Sequence, residues 1–137
     1  MSFVVDSSVA LSWCFEDEHT PARLALLERV TQEGALAPQL WPLEVLNGLH
    51  MAERRKRLDA SRRRRLAGFL QQLPISLDAQ TAAQAWVATA PLAERFGLTL
   101  YDAAYLELAQ RSALALATLD QDLHAAARAL RVSVLES

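Results

Sequence analysis

A chain of 137 residues, 52% of them hydrophobic, has room for one domain with a sizeable core, and a second domain is not expected within it. No apolar run approaches the roughly 20 residues that cross a bilayer and no basic stretch precedes an apolar signal core, so a cytosolic protein without a membrane span is expected. The net charge of −2 excludes little, because Arg54, Arg55, Lys56, Arg57, Arg62, Arg63, Arg64 and Arg65 supply eight of the 14 basic residues while Glu16, Asp17 and Glu18 form an acidic loop.

Taken in order, Phe3-Val4-Val5 reads as a buried strand that delivers Asp6, with a helix from Ser7 to Phe15 behind it. Cys14, the lone cysteine, sits between Trp13 and Phe15, where packing is expected rather than reactivity. Thr20-Pro21 is a helix start and Gly34 its end. Ala35-Leu36-Ala37 predicts a second strand stopped by Pro38. A helix opening at Pro42 follows, with Leu43, Val45, Leu46 and Leu49 toward the core and Glu44 in its first turn. Asp59 caps a fourth helix with Leu66, Phe69, Leu70 and Leu73 inward and its arginines outward. Pro74 to Leu77 predicts a third strand, after which Asp78 caps a helix that runs through Trp86, bends or restarts at Pro91 and ends near Gly97. Thr99 caps the next helix, with Asp102 in its first turn and Tyr105, Leu106 and Ala109 inside. Leu114 to Thr118 is a strand ending near Asp120, Gln121 to Leu130 a last helix, and Val132 to Leu135 a closing strand.

This alternation predicts an α/β fold: a central, mostly parallel sheet of four to five strands between helix layers, joined by right-handed crossovers. That topology fixes where the acids go. Asp6 and Asp120 arrive on strand ends, Glu44 opens a helix that follows a strand, and Asp102 opens a helix that runs back antiparallel to the next strand. All four therefore meet at the carboxyl edge, where open α/β sheets bind ligands.

Each acid alone is an ordinary cap or a favourable charge near a helix amino end. Together they repel, by roughly 4 kcal/mol for two unit charges about 4 Å apart at an effective dielectric near 20. Raised pKa values or a hard divalent cation such as Mg²⁺ or Mn²⁺ would relieve that repulsion. Zinc is disfavoured, since His19, His50 and His124 lack ligand spacing. Carboxylate-held magnesium suits phosphoryl or phosphodiester chemistry with water as nucleophile. The clustered arginines are either a solvated helix face or a surface for a polyanion or an acidic protein segment.

Four segments resemble the PIN-domain family, and within it the VapC-type toxin ribonucleases: Val4 to Ser8, Pro38 to Asn47, Leu98 to Tyr105, and Ala117 to Asp120. The resemblance spans nearly the whole chain as a single PIN-like domain, 1–137. It implies a Mg²⁺- or Mn²⁺-dependent endoribonuclease with Asp6, Glu44, Asp102 and Asp120 as metal-binding and catalytic acids, and Ser8 and Thr118 as polar groups that orient them or the water. It also implies dimerisation and a cognate antitoxin. Asp122 is either a further ligand or a first-turn helix acid.

Two other readings stand beside this one. A catalytically idle PIN-like module would hold RNA or a protein through Arg54, Arg55, Arg57, Arg62, Arg63 and Arg64. A phosphoryl-transfer enzyme with Asp6 as nucleophile, as in receiver or dehalogenase-like folds, fits less well: Ser8 stands where the latter wants a second acid, and the only lysine, Lys56, lies in the basic stretch.

Overall fold

A computed structural model describes residues 3–137. Four strands, β1 (Phe3–Val5), β2 (Ala35–Pro38), β3 (Ile75–Asp78) and β4 (Ala115–Ala117), form one sheet in the order β3-β2-β1-β4. All three pairings are parallel, with Val4 opposite both Leu36 and Leu116. Successive strand residues point to opposite faces. Because Phe3, Val4 and Val5 are all fully buried, helices must cover both sides, as an all-parallel sheet requires.

The helices are α1 (Ser7–Ser12), α2 (Pro21–Glu33), α3 (Trp41–Arg54), α4 (Ala60–Gln72), α5 (Thr81–Gln84), α6 (Ala90–Phe96), α7 (Leu100–Ser112) and α8 (Gln121–Ala129), with a single π turn over Ala85–Thr89 between α5 and α6. Their starts follow local chemistry. Asp6, Thr20, Asp59, Thr99 and Asp120 each accept a hydrogen bond from a first-turn N–H, satisfying donors that the helix cannot use. Helix α7 lies across β1, β2 and β4; its Ala103 to Ala109 are all buried, so it is the central helix of the core. Gly48 lets α3 approach α1, since a Cβ there would overlap the Leu11 side chain.

Several sequence expectations are corrected. The buried stripe of α3 is Trp41, Val45, Leu49 and Ala52, spaced three and four residues apart. Leu43 (74% exposed) and Leu46 therefore face outward. The helix starts at Trp41 rather than Pro42. Phe69 is also exposed, leaving Leu70 as the buried anchor of α4. Asp78 ends β3 rather than capping a helix: it accepts from Gln80 N, and α5 has no side-chain cap. Trp86 is 88% exposed. The expected closing strand is a single parallel bridge, Leu116 to Val134, made by Leu116 N donating to Ser133 O and Leu135 N to Leu116 O.

Candidate active site at the carboxyl edge

Asp6 leaves β1 and caps α1, and it is 4% exposed. One carboxylate oxygen accepts from the Ser8 hydroxyl at 2.7 Å and from Val9 N at 3.0 Å; the other accepts from the Thr118 hydroxyl. Ser8 in turn accepts from Leu119 N, and Thr118 from Asp120 N. The ends of β1 and β4 are thus locked together through Asp6. Burial pushes the Asp6 pKa above its ordinary value; the Ser8, Thr118 and Val9 donors oppose this, and the negative charge of Asp102 adds to it.

Glu44, in the first turn of α3, accepts from the Tyr105 hydroxyl at 2.6 Å. Its pKa is raised by burial, against the Tyr105 hydrogen bond, and by the charges of Asp102 and Asp6. Burial and the Glu44 charge push the Tyr105 phenol upward as well, so it stays a neutral donor. Asp102 sits over the start of α7, where Thr99 accepts its N–H at 3.1 Å. Burial first, then the charges of Asp120 and Asp122, raise its pKa. Asp120 caps α8 by accepting from Leu123 N at 2.8 Å, and Asp122 lies in that helix's first turn.

The five carboxylates therefore form one electrostatic neighbourhood: Asp6, Glu44 and Asp102 feel one another, and Asp102 feels Asp120 and Asp122. Among the described residues none of the five has an ion-pair partner. The oxygen-only donor set fits a hard divalent cation. As placed, no three His, Cys, Asp or Glu side chains among the described residues close into a metal cage. Mg²⁺ usually keeps several waters and takes only one or two carboxylates directly, so the wider spacing remains compatible with it. The Cys14 thiol is buried, with its pKa pushed up to about 12 chiefly by desolvation, which matches a packing role.

Tyr105 lies in the core, as its helical spacing predicts; its hydroxyl's bond to Glu44 is the part that the sequence reading lacks. Its spacing of three from Asp102 puts both on one face of α7, which is the signal that could have found it. In the basic stretch, Arg57 is engaged by Asp17 and Glu18 and stacks on Phe15, and Arg63 pairs with Glu53. Arg54, Arg55, Arg62 and Arg64 are exposed, with no ion pair among the described residues.

No helix among the described residues is long and apolar enough to cross a membrane. Among solved structures the fold is similar to PAE2754 from Pyrobaculum aerophilum, at 26% identity and a TM-score of 0.68, covering 92% of this chain and 86% of that one. It is also similar to FitAcB from Neisseria gonorrhoeae, at 18% identity and a TM-score of 0.67, covering 98% and 96%. No curated protein matches the chain. The family model for the PIN domain matches residues 3–129. With that match over nearly its whole length, and with the fold those two structures share, the chain belongs to the PIN-domain family, whose members are generally nucleases.

Proposed function

We propose that this protein is a divalent-metal-dependent endoribonuclease of the VapC toxin type, neutralised by a cognate antitoxin. One observation carries the reading: Asp6, Glu44, Asp102 and Asp120 share a sheet edge with no cationic side chain paired to them among the described residues, while Asp78 and Glu107 share Arg111. Asp6, Glu44, Asp102 and Asp120 would hold Mg²⁺ or Mn²⁺, and Asp122, in the first turn of α8, would add negative charge nearby. Such a cation supplies Lewis acidity, withdrawing charge from a phosphodiester and acidifying the water beside it.

The chain's own groups do the rest. Ser8 and Thr118 fix both oxygens of Asp6, and Tyr105 holds Glu44, so the acids are oriented before substrate arrives. Water is the nucleophile, and no side chain need be modified in the reaction. The exposed Arg54, Arg55, Arg62 and Arg64 meet RNA phosphates or an acidic antitoxin segment. The exposed apolar side chains Leu43, Trp86, Val87 and Tyr101 suit burial against a second copy of the chain.

The test is cleavage of a broad RNA panel, with single-stranded DNA alongside, in Mg²⁺ or Mn²⁺. Asp6→Asn or Asp102→Asn is expected to abolish cleavage while the protein stays folded; full activity in EDTA overturns the mechanism. The exposed Arg54, Arg55, Arg62 and Arg64 support one second reading, a PIN-like module that binds RNA or protein without turnover. Salt-sensitive RNA binding without cleavage in any metal would select it.

A further inference from the structure

Asp120, one of the candidate acids, lies with Thr118 at one end of a trough along α8. One hollow of about 340 Å³ is walled by Arg23, Thr118, Asp120 and His124. A second, of about 470 Å³, is walled by His124, Arg128, Arg131 and Ser133. The two share His124 and Val134.

Asp120, His124 and Arg128 fall four residues apart, on one stripe of the helix, and Arg131 continues it just beyond the helix end. Neither the His124 ring nor the Arg128 or Arg131 guanidinium has a hydrogen bond or ion pair among the described residues. Arg23 Nε–H, in the wall of the first hollow, is buried without an acceptor. A cation at the carboxyl end of α8 also complements the helix dipole, but the dipole explains neither the hollow nor three protonatable groups around it.

The geometry points to a substrate subsite: the His124–Arg128–Arg131 stripe binds the phosphodiester backbone of single-stranded RNA extending away from the acids. This rests on the nuclease reading above. The polarity of the trough supports it. Asp120 and Glu136 line the acidic end, where a polyanion is tolerated only with a divalent ion, whereas the far end offers guanidinium forks that fit phosphate directly. Helix α8 has nine residues and so spans about 13.5 Å at 1.5 Å per residue. A strand of several nucleotides reaches both ends; a dinucleotide does not.

The test uses the full chain with Asp102→Asn, which retains RNA uncut, and a fluorescent single-stranded RNA oligonucleotide titrated in Mg²⁺ over a range of salt. Adding Arg128→Glu and Arg131→Glu is expected to weaken binding roughly tenfold or more and to make the slope of log K against log[salt] shallower by about 1.4, from two phosphates at ~0.7 each. Melting should not change, because both side chains are exposed; the neutral pair Arg128→Gln and Arg131→Gln should give a smaller loss in the same direction. Arg95→Glu on α6 serves as the control and should leave affinity unaltered. With Asp102 restored, the charge-reversed pair should raise KM for a long RNA by a larger factor than KM for a dinucleotide. Unchanged affinity and slope in a protein that still cuts RNA overturns the subsite and leaves the nuclease reading intact. Loss of binding in Arg54→Glu/Arg64→Glu alone also overturns it, assigning the strand to the α3–α4 corner. A wild-type protein that neither binds nor cuts RNA overturns both.

Discussion

Two groups of partly buried carboxylates sit in this molecule, and they are handled in opposite ways. Asp78, at the end of β3, and Glu107, on α7, both reach Arg111, whose Nε donates to Glu107 at 2.7 Å and whose Nη2 donates to Asp78. Burial pushes Asp78 upward, but the hydrogen bonds and charge of Arg111, with Gln80 N–H, outweigh it and hold the carboxyl below its ordinary value. Among the described residues Asp6, Glu44 and Asp102 receive only hydroxyl and amide donors, and all three are raised. The same chain gives one pair of acids a shared arginine and leaves the other group without an ion pair among the described residues, which is the arrangement the proposed cation would complete.

The largest effect separating the two groups should be on catalysis. Asp6→Asn or Asp102→Asn is expected to lower metal-dependent cleavage by more than about a hundredfold, since merely removing a partner of a metal ligand costs about 10–100-fold. Arg111→Met should leave the metal dependence of that activity untouched. Removing the donors that orient Asp6 comes next: Thr118→Val or Ser8→Ala should reduce kcat or metal affinity by about 10–100-fold, measured by steady-state cleavage across a metal titration.

Stability reverses the ranking. Arg111→Met strands Glu107 and Asp78 without their cation and should cost about 1–3 kcal/mol in denaturant unfolding. That is less than the 3–5 kcal/mol of a fully buried pair because Arg111 is one-third exposed. The smallest effect is a pH dependence. A depressed carboxyl contributes stability above its unfolded pKa that is lost as pH falls through the folded value. The stability gap between wild type and Asp78→Asn should therefore be constant at neutral pH and close as the pH drops below 3.8.

What was legible in the sequence was local. An apolar run ending on Asp6-Ser7-Ser8 announces a strand that feeds a capped helix, and Thr99 three residues before Asp102 announces another start; both are as read. The alternation of elements sufficed to send the acids to one edge. Contacts between distant segments were not legible. Tyr105 and Glu44 are 61 residues apart and Arg111 and Asp78 are 33 apart; spacing from Asp102 places Tyr105 on the acidic face of α7, but no local pattern names either partner. In α3 the apolar residues are too many to define one face: Leu43 and Leu46 compete with Trp41 and Val45, and only the tertiary contact chooses. The Arg57 and Arg63 partnerships were likewise invisible, because Asp17, Glu18 and Glu53 reach them only after folding.

The central claim is that the unpaired acids at the carboxyl edge want a divalent ion, and thermal melting with and without Mn²⁺ tests it most directly. A ligand that binds only the folded state at 100 times its Kd stabilises by about 2.7 kcal/mol. Wild-type protein should therefore melt several degrees higher in saturating Mn²⁺ than in EDTA, and Asp102→Asn should lose most of that gain. Equal melting of wild type in Mn²⁺ and EDTA, or an undiminished gain in Asp102→Asn, would contradict the account.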